Sequence, residues 1–279
     1  MSVNHDQISS SSLEFPLPGE RSQVDSALCM FGLARIVGKM LEQLYTTTNR
    51  RGGVAKISQL QADLDVWERS LPQTADESGI IVTDGGVAAE SLELFFLRVA
   101  LCVATVHIHR PALAFTAADP QFSDSLWACG RASARLITLV SAVVPALTDQ
   151  PLAPQDCILR YLAIFLYPNG LNMLWQAGLT VLFARWKGQE VAGGDSDDRE
   201  LVATCTATLR SFLEYDALED VMKCAEVLDM LSERTFSANA AQTPVLENLQ
   251  WNLWDWPMES ALELDNILNA VPLDVQLDF

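Results

Sequence analysis

Apolar residues recur at helical spacing along most of the chain. Leu33, Val37, Met40, Leu41 and Leu44 fall on one face from Val24 onward and predict a first amphipathic helix ending near Thr46 to Asn49. Gly52-Gly53 breaks the pattern. A second period, Ile57, Leu60, Leu64, Trp67 and Leu71, stops at Pro72. The stretch QTADESGIIVTDGG then reads as a loop, closed by the glycine pair Gly85-Gly86. Glu90 to Leu113 is apolar almost all round, as expected of a helix in the middle of a bundle, and Pro111 terminates it.

Residues 123 to 144 open with a Ser/Asp cap signal and continue through small residues, which permit close helix packing. Cys157 to Ala184 is the most apolar stretch and long enough to span a membrane, but Pro168-Asn169-Gly170 divides it into two pieces too short to cross. It is read as two buried helices joined by a turn. Gly193 to Glu200, GGDSDDRE, reads as a solvated acidic loop; two more amphipathic helices follow, the second with Leu218, Val221, Met222, Ala225 and Leu228 on one face. No folded segment alternates strictly over six or more residues, so strands have little support. The expectation is an all-α fold of about seven to eight packed helices over residues 23–236. A Ser-rich disordered lead-in, 1–22, precedes it, a small polar linker, 237–250, follows, and a partly disordered acidic tail, 251–279, ends the chain.

Charge narrows the choice of partners. Thirty-six acids against eighteen bases give a net charge of -18, and the longest basic run is Arg50-Arg51. Such a chain repels phosphate, so neither a direct nucleic-acid contact nor an anionic membrane is expected. The six cysteines show no CxxC and no short Cys/His ladder; they are expected to be reduced and buried, as small hydrophobes.

Candidate chemistry is sparse. His107 and His109 lie at i and i+2, about 200° apart on a helix, and cannot share one ion. They are expected at a helix end, where they and Arg110 meet solvent or the last carbonyls, a favourable place for cationic groups. The Asp195 stretch lacks the glycine and the acid of a calcium loop, with Glu200 and Thr206 in those positions. No nucleophile elbow or phosphate loop occurs, so no catalytic residue, cofactor site or metal site is assigned and no enzyme is expected.

Three passages taken together resemble one family. ISQLQADLDVWERSLP (Ile57 to Pro72), VALCVATVHIHRPAL (Val99 to Leu113) and CGRASARLITLV (Cys129 to Val140) are similar, in this order, to helices of fungal transcription factors of the zinc binuclear cluster class. The likeness covers roughly residues 24 to 236 and matches the later part of their middle homology region. It implies a helical regulatory region that restrains activation and receives inducer or protein signals in the nucleus, with shuttling to the cytoplasm allowed. It also implies a role in nutrient use or secondary metabolism. By the same likeness Trp67, Leu71, Pro72, His109, Arg110 and Pro111 are structural signatures. None of the six cysteines fits the family's zinc cluster, and its dimerising heptads are absent. DNA binding is therefore not carried over: the chain reads either as a truncated product or as a partner that acts through another DNA-binding regulator.

The tail from Pro244 to Phe279 holds seven acids and no base. Asp255 and Pro257 signal a helix start, Leu264, Ile267, Leu268 and Val271 share one face, and Pro272 ends the element. An isolated helix of about 14 residues is marginal in water, so it is expected to form on contact. Trp251, Trp254, Trp256, Leu264, Ile267, Leu268, Val271 and Phe279 are the expected anchors in a coactivator groove, with the acids keeping them soluble. The same tail reads alternatively as a last helix with an added edge strand on the domain, or as a segment docked on it as an off-switch. A small-molecule-sensing or inhibitory partner of a DNA-binding regulator is the alternative reading of the whole, and an unrecognised helical enzyme the third.

Overall fold

The computed structural model describes residues 20–46, 53–71, 82–83, 86–87, 89–114, 119–148, 169–211 and 219–237. Seven α-helices are present among them: α1 (Glu20–Met40), α2 (Gly53–Ser70), α3 (Ala89–His109), α4 (Pro120–Thr148), α5 (Asn169–Trp186), α6 (Asp195–Ser211) and α7 (Glu219–Phe236). The fold is all-α, as expected. A two-residue antiparallel ladder pairs Val82 with Val87 and Thr83 with Gly86, at the end of the segment expected to be a plain loop and one residue beyond it. The lead-in before Glu20, Pro72, Cys157 and everything beyond Ser237, the tail anchors included, lie outside the described residues.

The helix boundaries follow local chemistry. α1 begins at Glu20, inside the segment expected to be a disordered lead-in, and ends in a π turn, Leu41–Tyr45. Gly53, expected as a breaker, is the first residue of α2. α3 stops at His109, and Pro111 sits in a 3-10 turn, Arg110–Ala114, where a residue without an N–H is tolerated. The cap of α4 lies earlier than the Ser/Asp pair at 123–124. Asp119 Oδ1 accepts from the Gln121 N–H at 2.9 Å, and Pro120 takes the first helical position, where its fixed φ is pre-organised.

The acidic loop expected at Gly193 to Glu200 is a helix start. Asp195 opens α6, and Asp198, fully buried, accepts from the N–H groups of Ala192 at 2.7 Å and Val191 at 3.2 Å. Its carboxylate therefore satisfies the backbone of the turn that enters the helix, and negative charge suits a helix N-terminus. Gly193, with φ +130, gives that turn a conformation most residues avoid.

Two apolar clusters share α3. Leu33, Ile36 and Met40 of α1 and Ile57, Leu60, Leu64 and Trp67 of α2 pack on one side of it, against Leu94, Leu97, Leu101, Ala104 and Ile108. The other side, Phe95, Val99 and Cys102, faces a larger cluster built by α4, α5, α6 and α7 around Leu126, Ile137, Trp175, Leu209 and Leu228. This explains why α3 is apolar all round. The segment Leu94–Ala114 is long and apolar enough to cross a membrane by composition, yet it is the helix between two cores. The small residues expected to permit close packing do so at Gly178 of α5, where an added Cβ would stand 2.9 Å from Leu228 and 3.1 Å from Cys205.

Several details differ from the expected faces. Leu41 and Met222 point outward, while Ile36, Cys224, Val227 and Leu231 are buried. Five cysteines, Cys29, Cys102, Cys129, Cys205 and Cys224, are free, and all but Cys29 are buried.

Candidate functional site

The end of α2, the end of α3 and the first turns of α4 meet in one junction, which gathers most of the signature residues. Trp67, nearly buried, donates its indole Nε1–H to the Cys29 carbonyl at 2.8 Å and so ties α2 to α1. Gly32 lets α1 cross the indole closely, since a Cβ there would sit 3.1 Å from Trp67 Cδ1. Leu71 is buried just beyond the helix. Tyr45, at the end of the π turn, donates its hydroxyl to the His107 carbonyl at 2.8 Å and ties the α1 end to α3.

His109 is the centre of the junction, and its environment corrects the expectation of a cationic helix end. It is buried, with Nδ1 3.1 Å from Ser125 Oγ and Nε2 3.1 Å from Gln61 Oε1. The donor directions follow from the neighbours. Gln61 Nε2 donates to Asp65 at 2.6 Å, which turns the amide oxygen of Gln61 toward the histidine. His109 Nε2–H therefore donates, Nδ1 accepts from Ser125, and Ser125 Oγ accepts in turn from Gln121 Nε2 at 3.0 Å. Every polar atom of the ring is matched by a neutral imidazole. Burial pulls the His109 pKa down to about 4, and burial followed by the nearby Arg110 lowers that of His107 as well.

Although Ser125 and His109 are hydrogen-bonded, Ser125 is fully buried, and its hydroxyl does not reach the surface. The chain Gln121, Ser125, His109, Gln61, Asp65 pins α2 and α4 to the end of α3. Sequence reasoning found His109 but not Gln61, Ser125 or Gln121, which lie 48, 16 and 12 positions away. Only the Gln61–Asp65 and Gln121–Ser125 spacings, four apart on their helices, carried a sequence signal.

A second bridge joins the same helices farther along: Arg135 of α4 holds Glu68 of α2 at 2.7 Å. Around these two bridges lies an open cleft of about 1410 Å³, walled by α2 and α4, floored by α3, and lined also by Val191 and Ala192. Its floor is apolar, with buried Leu101 and Cys102, and buried Leu139 of α4 lies beside them in the lining. Its α4 wall carries Trp127, 51% exposed, with the Arg131 guanidinium 5.1 Å from the ring centroid. Among the described residues, no three His, Cys, Asp or Glu side chains come close enough to hold a metal ion. Arg110 and Pro111 are half-buried in the 3-10 turn beside the junction.

No family model matches the chain, and no solved structure does. Two curated proteins are similar to it. The transcriptional activator protein acu-15 of Neurospora crassa is 26% identical over 167 residues, 57% of this chain and 16% of that protein. The uncharacterized transcriptional regulatory protein C3C7.04 of Schizosaccharomyces pombe is 42% identical over 60 residues, 21% of this chain and 8% of that protein. The chain thus spans only a small part of the length of these relatives, and what it is similar to is a segment of fungal transcriptional regulators.

Proposed function

We propose that the chain is a helical regulatory region of a fungal transcription factor of the zinc binuclear cluster class. It regulates transcription for a metabolic or secondary-metabolite pathway in the nucleus. It acts through coactivators or a DNA-binding regulator rather than as an enzyme. The observation that carries the reading is the junction itself. The three passages that resemble the family, around Trp67, His109 and Cys129, fall on α2, α3 and α4, which interlock through His109. The likeness to two fungal transcriptional regulators supports it. The net charge of -18 favours protein partners over direct contact with nucleic acid.

In this reading the acidic tail is the activating segment, with Trp251, Trp254, Trp256, Leu264, Ile267, Leu268, Val271 and Phe279 as its anchors, and the helical body restrains it. The test fuses residues 1–279 to an unrelated DNA-binding domain, beside a form ending at Thr243 and one carrying only the tail. Reporter activation that vanishes on truncation and is stronger for the tail alone is the expected result. Silence from both the full chain and the tail, with both proteins well expressed, sinks the activator reading. The α2–α4 cleft favours one second reading, a domain that senses a small molecule.

A further inference from the structure

The cleft has one chemically distinctive wall. Along α4 the outward stripe runs Asp124, Trp127, Arg131, Arg135, Thr138, and all five line the cleft. Arg135 is occupied by Glu68 at 2.7 Å. Arg131 forms no ion pair among the described residues; its guanidinium lies 5.1 Å from the Trp127 ring centroid and is exposed. An exposed guanidinium beside an indole face presents an N–H fork, and that fork matches a carboxylate. Leu101 and Cys102 of α3 and Leu139 of α4 line the same cleft and are buried. Burial keeps the Cys102 thiol protonated, with its pKa pushed up to about 12, so the floor carries no charge.

From this arrangement we infer that the α2–α4 cleft binds a small monocarboxylate with an apolar body, its carboxylate on Arg131 and its body beside Trp127 and the apolar lining of the cleft. The charge pattern limits the ligand to one anionic group. Glu68 and Asp124 line the same cleft; Asp124 lies seven residues before Arg131, about 10 Å along the helix axis. A second anionic group reaching that far along α4 meets a like charge. Most of the cleft's polar side chains are committed within the protein. Gln61 holds Asp65 and His109, and Glu68 holds Arg135, so Arg131 is the recognition group that remains. The inference deepens the sensing reading and rests on it, while its test is made on the purified chain and does not depend on the reporter result.

The probe is naphthoate, an aromatic monocarboxylate, titrated into the full chain by calorimetry beside its neutral analogue naphthylmethanol. One saturable site is expected for naphthoate, with the neutral analogue and the Arg131→Gln chain each weaker by about tenfold or more, the scale of a lost charge-assisted pair. Arg131→Lys keeps part of the affinity, because it retains charge without the fork. Glu68→Gln binds as well as or better than the wild type, because Arg135 is then released. Circular dichroism verifies that each variant is folded, and if Arg131→Gln is not, the neutral analogue and Arg131→Lys decide. Equal binding of acid and alcohol, unchanged affinity in folded Arg131→Gln, or no saturable binding of naphthoate overturns the inference.

Discussion

His109 links burial to pH. Its folded pKa of about 4 lies below the ordinary 6.5, so between those values the unfolded chain holds more protons than the folded one. The contribution is therefore fully present above pH 6.5 and is lost as the pH falls toward 4. The whole shift is worth about 3 kcal/mol. His107 is shifted the same way and adds to the loss. Asp63, lowered by its hydrogen bond to Lys39, acts below its ordinary 3.8 instead. Urea midpoints measured at pH 7 and near pH 4 are expected to fall steeply for the wild type and clearly less for His109→Gln, which has no proton to take up. An equal fall in both would show that His109 is not what titrates. Asp198 makes a second case at this scale: Asp198→Ala leaves the buried Val191 N–H without its acceptor, and a loss of about 2–3 kcal/mol is expected by chemical denaturation. Sequence alone made Trp67 and Leu71 readable as buried, since each continues an apolar period. It could not reveal the neutral state of His109 or the burial of Asp198, because both depend on partners brought in by turns and neighbouring helices.

Between elements, close approach and charge pairing carry very different weight. Gly178 of α5 leaves room for Leu228 and Cys205, both fully buried, so a side chain there has no space to displace them into. Gly178→Val is expected to destabilise by about 2–3 kcal/mol through overpacking, despite the helix-propensity gain from replacing glycine. Glu68→Gln, by contrast, removes a pair whose members are each 39% exposed, and a change below about 1 kcal/mol is expected in the same denaturation series. The contrast bears on what was legible. Long apolar periods located α2 and α3 well, because burial at helical spacing leaves a direct trace, while the faces of α1 and α7 were read only in part. Helix starts were less visible: the cap of α4 is Asp119 rather than the Ser/Asp pair four to five residues later, and the acidic run after Gly194 opens α6. In both places charged and small residues fit a loop and a helix start equally well, and only the hydrogen bonds they make distinguish the two. The cleft left no sequence trace, because its wall and floor come from three helices and one turn.

At the scale of the whole molecule the arrangement turns on α3. It gives one face to the cluster of α1 and α2 and the other to the cluster of α4, α5, α6 and α7, so neither cluster keeps its full surface buried without it. Phe95, fully buried, and Ile108, fully buried, sit on the same helix and belong to different clusters. Loss of either cluster exposes a long apolar face of α3 to water, at about 25 cal/mol for each Å² uncovered. Two clusters joined only by a surface contact would open separately, whereas clusters joined through a shared buried helix open together. The expected outcome is one cooperative unit: native-state hydrogen exchange gives the most protected amides of α2 and α7 the same opening free energy. Phe95→Ala is then expected to lower both values together, by about 3–5 kcal/mol, although α2 does not belong to the cluster that holds Phe95. A drop confined to α4, α5, α6 and α7 would instead make the α1–α2 hairpin an independent unit. The hairpin would then swing on α3, with the Glu68–Arg135 pair and the His109 chain of hydrogen bonds among the described contacts that hold it against α4.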